Sequence, residues 1–264
     1  MDQPHASRLA LVTGASSGIG RQLALLFAAD RVDHVLVARR AGELESLATE
    51  LRRSASIAVT VLPVDLSQPG AAKALFATLQ SRGLTVTDLC NNAGYGLFGL
   101  FRETPLDDEL AMIRLNVDAL TELTKLCLPA MLARRDGRIL NVASTASFQP
   151  GPYMAVYYAT KAYVLSLSEA LATELQGSGV TVTALCPGPT RTGFQDRAAM
   201  HHSALLKNVA LTDVRDVARA GYRAMQQGRR VVIPGWMNRL GVFSTRLSPR
   251  WLSAAIVKKI SAPR

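Results

Sequence analysis

Tyr157 and Lys161 stand four residues apart in the run Val156-Tyr157-Tyr158-Ala159-Thr160-Lys161, with Ser144 upstream. On a helix this spacing brings a phenol and an ammonium to one face. A fixed cation beside a phenol favours the phenolate, so Lys161 is expected to lower the Tyr157 pKa and make it a usable acid or base near neutral pH. The Ser144 hydroxyl would hold a carbonyl oxygen while Tyr157 delivers or removes the proton. Tyr-x-x-x-Lys also occurs on ordinary helix surfaces, so its meaning depends on the elements that position it.

Apolar runs predict strands at Arg8–Val12, Val35–Ala38, Ala58–Leu62, a run ending at Cys90, Arg138–Val142, Val180–Leu185 and Val231–Ile233. Helices are predicted between them: one ending near Ala29, then Gly42–Arg53, Gln68–Ser81, a single long helix over Leu106–Arg134, and the Tyr157 helix over Pro152–Leu175. Thr212 is read as the N-cap of a last core helix reaching Gln226, with Asp213 and Asp216 in its first turn. Strict alternation of strand and helix means an α/β fold, a doubly wound parallel sheet of Rossmann type covered on both faces. There is no internal linker and no repeat.

Four strand ends carry further signals. Thr13-Gly14-Ala15-Ser16-Ser17-Gly18-Ile19-Gly20 joins the first strand to the first helix. Glycines allow a sharp turn and let a pyrophosphate approach the helix N-terminus, where free N–H groups favour anions. No Lys-Ser/Thr follows, so this is not a nucleotide-triphosphate loop. After the second strand, where an Asp or Glu would bind a ribose 2′-hydroxyl, the chain has Ala38-Arg39-Arg40. Guanidinium groups there suit a 2′-phosphate, favouring NADP(H) over NAD(H); the alternative is a solvated loop. Asp65-Leu66 either reaches an adenine ring or caps a helix. Asn91-Asn92-Ala93-Gly94 supplies small residues that let a cofactor cross the sheet edge.

Taken together, these motifs resemble the short-chain dehydrogenase/reductase family. The resemblance rests on Thr13 to Gly20, Asn91 to Gly94, Asn116, Ser144, Tyr157 with Lys161, and Pro187-Gly188 with Thr192, in family order, over about Leu9 to Thr192. It implies that Tyr157 is the general acid/base, that Lys161 lowers its pKa and contacts the nicotinamide ribose, and that Ser144 positions the substrate oxygen. It implies that Asn116 holds a water linking Lys161 to solvent, and that Pro187, Gly188, Thr190 and Thr192 flank the nicotinamide and its phosphate. It also implies a homodimer or homotetramer paired through the helices at Leu106–Arg134 and Pro152–Leu175. On this reading residues 1–234 form the NADP-binding catalytic domain and residues 235–264 a basic amphipathic extension of it.

The segments expected to line the substrate pocket contain Tyr95, Leu97, Phe98, Phe148, Tyr153, Met154 and Phe194, with Arg191 the only fixed cation. An apolar lining points to a hydrophobic ketone, aldehyde or secondary alcohol. Thr190–Leu206 is expected to be a lid. The expected activity is NADP(H)-dependent carbonyl reduction; the alternatives are a non-catalytic NADP-binding regulator or a membrane-surface protein on the same fold.

Composition narrows the classes. Cys90, Cys127 and Cys186 are widely spaced thiols in apolar stretches, and His201-His202 has no third ligand at metal spacing, so no metal is expected. The run from Leu9 reads as a strand rather than a signal peptide, and no stretch could span a bilayer, which points to a cytoplasmic protein, free or peripheral to a membrane. Of the net charge of +10, nearly all lies beyond Gly221, where nine Lys and Arg meet no Asp or Glu. A local basic surface fits that distribution better than a nucleic-acid-binding body does. In the tail, Trp236, Leu240, Phe243 and Leu247 recur at helical spacing, as do Trp251, Ala255, Ile256 and Ile260. Such a tail would pack over the substrate entrance, pair with a second subunit or lie on an anionic membrane.

Overall fold

Strands form where apolar residues run almost without interruption, the pattern of a sheet buried on both faces. The computed structural model describes residues 8–192 and 211–262. Its strands are β1 (Leu9–Thr13), β2 (Asp33–Ala38), β3 (Val59–Pro63), β4 (Asp88–Asn91), β5 (Gly137–Val142), β6 (Val180–Leu185) and β7 (Val231–Val232). The helices are α1 (Gly18–Ala29), α2 (Ala41–Ser54), α3 (Ala71–Ser81), α4 (Leu106–Ile113), α5 (Ala119–Arg134), α6 (Ala155–Glu174), α7 (Val214–Gln226), α8 (Trp236–Leu247) and α9 (Arg250–Ser261).

All strands pair in parallel, in the order β3-β2-β1-β4-β5-β6-β7. Alternate side chains serve opposite faces. Ala10, Val12, Leu36 and Leu140 join α1, α2 and α7 around Phe27 on one side. Leu11, Val35, Val37 and Ile139 join α3 and α5 on the other. Each fully buried Leu or Phe contributes roughly 1.5–3 kcal/mol, so the two clusters hold the sheet between its helices. The strand order reverses between β1 and β4, and the crevice beyond the carboxyl ends is where such folds bind ligands.

Three departures from the sequence-based reading have local causes. The predicted helix over Leu106–Arg134 is divided by a wide π turn at Arg114–Asp118. The predicted start of α3 at Gln68 moves to Ala71, because Gly70 adopts a left-handed φ of +74° that a helix cannot contain. Thr212 does not cap α7. Its backbone pairs with Thr190, and the Asp213 carboxylate takes the cap, accepting from Arg215 N at 2.7 Å.

Candidate active site

One cavity of about 950 Å³ opens along the carboxyl edge of the sheet. At its nucleotide end the β1–α1 turn is locked to the end of β4. Thr13 Oγ1 accepts from Asn92 N and Ala93 N, each at 3.0 Å, and Asn92 Nδ2 donates to Thr13 O at 2.8 Å. Gly14 holds a φ of +65°, and a Cβ there would stand 2.7 Å from Asn92 Nδ2, so the turn closes only around glycine. Ser17 precedes α1 without capping it through its side chain, which leaves the helix N–H groups facing the cavity. Arg40 Nη2 donates to Ser16 Oγ at 3.1 Å, and Arg39 lies 3.8 Å from Asp65. Arg40 thus borders the glycine turn and Arg39 the residue Asp65 after β3, both on the cavity wall, an arrangement that suits a phosphorylated ribose.

Asp65 lines the cavity, and its Oδ1 accepts from Ser67 N and Oγ at 3.0 and 2.7 Å, so it closes a turn rather than capping a helix, which starts only at Ala71.

At the other end Tyr157, Lys161 and Ser144 face the same cavity. Ser144 caps the short 3-10 turn Thr145–Phe148, accepting from Ala146 N at 3.1 Å, and is a hydrogen-bond partner of Tyr157. Lys161 Nζ donates to Val142 O at 2.7 Å and lies 5.9 Å from the centre of the Tyr157 ring. Burial is the main influence on both groups. It raises the Tyr157 phenol well above the ordinary tyrosine value, against the Ser144 hydrogen bond that lowers it and with a further rise from Tyr158. It pushes Lys161 down to about 8. The expected lowering of Tyr157 by Lys161 is therefore not what this geometry gives: burial raises the phenol, and the group that lowers it is Ser144.

Beneath the pair runs a buried polar chain. Asn91 Nδ2 donates to Thr124 Oγ1 and Asn141 Oδ1, Asn141 Nδ2 to Ser168 Oγ, and Ser168 Oγ to Val164 O. With Ser147 Oγ donating to Lys161 O at 2.7 Å, it fixes α6 against β4 and β5.

All the sequence-predicted site residues line this cavity except Gly20 and Asn116. Gly20 packs against Asn92, where a side chain would collide. Asn116 lies in the π turn behind Gly94. It donates to Tyr95 O at 2.9 Å and Thr160 Oγ1 at 3.1 Å, and accepts from Tyr95 N at 3.2 Å. It thus ties the chain after β4 to α6.

Of the residues expected to line the substrate pocket, Met154 lines the cavity; Tyr95, Leu97 and Phe98 pack, partly buried, against the adjoining cluster of Met112, Met154 and Tyr157, and Phe148 packs against the core beside Val164. Tyr153 stacks on Phe98 at 5.9 Å, and Arg191 is exposed away from the lining. Phe194 and nearly all of the predicted lid lie outside the described residues. Sequence reasoning missed Gln149, Tyr158 and Ile260, all in the wall. Tyr158 could have been found from its neighbour. Ile260 has no local signal, because it arrives from the far end of the chain.

A family model described as short chain dehydrogenase matches residues 8–202. The chain belongs to the short-chain dehydrogenase family. A curated relative of this dehydrogenase, a 7beta-hydroxysteroid dehydrogenase from Collinsella aerofaciens, is 33% identical over 182 residues, 69% of this chain and 68% of that one. The match spans 59% and 52% of the lengths of two other curated relatives. Among solved structures, a short-chain dehydrogenase from Sphingobium yanoikuyae in complex with NADPH has a TM-score of 0.82 at 33% identity, covering 91% of this chain and 93% of that one. A bulky-bulky ketone specific alcohol dehydrogenase from Comamonas testosteroni has a TM-score of 0.77 at 29% identity, with 91% and 92% covered. The family is one of oxidoreductases acting on CH–OH donors, and the Sphingobium relative is seen with NADPH. Among the described residues no helix is long and apolar enough to cross a membrane.

Proposed function

We propose that this dehydrogenase uses NADP(H) to interconvert a bulky apolar ketone or aldehyde and its alcohol. The observation that carries the reading is one cavity with a phenol, a hydroxyl and an ammonium at one end and a glycine turn and two guanidinium groups at the other. The NADPH-bound relative and the steroid and bulky-ketone relatives support the cofactor and the substrate size.

The uncapped α1 N-terminus would take the pyrophosphate, and Arg39 and Arg40 the 2′-phosphate. When bound, the nicotinamide supplies or accepts the hydride. In the reducing direction Ser144 holds the carbonyl oxygen and Tyr157, kept protonated by burial, donates its proton to that oxygen as the hydride reaches the carbon. The product is the alcohol, and the phenolate regains a proton from solvent. Lys161 at about 8 remains largely cationic at neutral pH, and its charge stabilises the phenolate as it forms. Asn116 holds α6 and the Tyr95 backbone in register with this group. Exposed Leu106, Leu110, Leu132 and Tyr163 on α4, α5 and α6 suit pairing of two copies along those helices.

The test is a panel of carbonyl compounds graded in size, followed by loss of NADPH absorbance. Turnover should rise from small aldehydes to multi-ring ketones. A preference for small charged keto acids would sink the substrate class, and no turnover with any carbonyl or alcohol would sink the activity.

A further inference from the structure

Helix α8 is built inside out. Trp236, Met237, Leu240, Phe243 and Leu247 are 73%, 67%, 60%, 55% and 75% exposed. At 3.6 residues per turn these five form one stripe along the helix. The side facing the protein buries only Val242 and sets the Asn238 amide against Gly188, with Asn238 Nδ2 donating to Pro234 O at 2.7 Å. A surface helix ordinarily buries its apolar stripe; here the polar side is anchored and the stripe faces out. Helix α9 packs through Ser253, Val257 and Ser261 and leaves Trp251 72% exposed.

The charge around the stripe selects what covers it. Arg239, Arg246, Arg250, Lys258 and Lys259 are all exposed, and no Asp or Glu occurs beyond Gly221 to offset them. A second copy docking by the same face would set cations against cations, because a two-fold contact uses one patch twice. An anionic bilayer answers both features: its headgroups meet the Lys and Arg, and tryptophan and phenylalanine enter the interface. No described helix is a membrane span, so the contact is a surface one.

We propose that the outward stripe of α8, with Trp251 of α9, docks this protein on an anionic phospholipid surface. The docked helices adjoin the cavity, since Asn238 lies on Gly188 and Ile260 forms part of the cavity wall. An apolar substrate would then pass between bilayer and site without crossing bulk water.

The experiment is sedimentation of the full-length protein with vesicles of phosphatidylcholine alone, or with roughly a third phosphatidylglycerol. The bound fraction should be about tenfold higher on the anionic vesicles and fall as salt is raised. Leu240→Glu/Phe243→Glu should abolish binding, and Arg246→Glu/Lys258→Glu/Lys259→Glu, which leaves the stripe intact, should reduce it about tenfold. Both variants should melt at the wild-type temperature, since every altered side chain is exposed. Equal sedimentation on the two vesicle types overturns the proposal, as does binding that survives the Leu240→Glu/Phe243→Glu change. A wild-type oligomer that this variant dissociates, with no vesicle binding by either, assigns the stripe to a second copy instead.

Discussion

At the nucleotide end of the cavity the Arg39 side chain stands half in solvent beside a partly exposed Asp65, whereas at the catalytic end Tyr157, Lys161 and Asn116 are almost wholly withdrawn from water. The same kinds of group therefore act differently. Exposed charges are screened by salt and open to a charged ligand, so they are suited to choosing a cofactor. Buried groups have their protonation set by desolvation, so they are suited to moving a proton. Binding and turnover should consequently separate under mutation, each end answering to its own measurement.

The sharpest separation is expected from Tyr157→Phe. Turnover should fall by about 10³–10⁴-fold, the scale of a positioned acid/base, while the NADPH dissociation constant measured by fluorescence stays nearly unchanged. Retained turnover would reject the acid/base role. From the other end, Arg39→Asp should move the NADP/NAD preference by about ten- to a hundredfold, the worth of a charged hydrogen bond of roughly 1.5–3 kcal/mol. It should leave the turnover number with saturating cofactor alone; an unchanged NADP affinity would show that Arg39 does not read the phosphate.

A smaller and graded effect is expected from pH. Burial holds Lys161 at about 8, below the ordinary lysine value of 10.5, so its charge is lost as pH rises through about 8. The kcat/KM for reduction should decline above that pH, and the decline should persist in Arg39→Asp. The stability sign follows from the same shift. Between about 8 and 10.5 the unfolded chain binds more protons at this position, so wild type should gain stability over Lys161→Met as pH rises through that window. A wild-type melting temperature that fell relative to that of Lys161→Met in that range would contradict the buried-cation account. Least in size, Asn116→Ala should cost roughly 1–3 kcal/mol of stability by leaving buried partners unpaired. It should lower turnover more than cofactor affinity if the π turn serves the catalytic end; equal losses in both would blur the two-ended picture.

Much of this was legible from the chain. The alternation of strands and helices, the glycine turn, Arg39-Arg40 and the Tyr157–Lys161 spacing all depend on local order, which a sequence displays. The π turn was not, because one extra residue in a helical turn leaves the apolar pattern of Leu106–Arg134 nearly unchanged. Nor was the direction of the Tyr157 shift, since spacing shows a neighbouring charge but not the loss of water around it. Tyr95, Leu97 and Phe98 read as pocket lining because large apolar side chains suit cores and pockets alike. Ile260 escaped because only the folded chain brings α9 to the edge of the cavity.

That position of Ile260 bears on how the protein is made. The glycine turn and the cavity wall at Ile260 are separated by almost the whole chain, so during synthesis the nucleotide end can assemble while one wall of the pocket is still inside the ribosome.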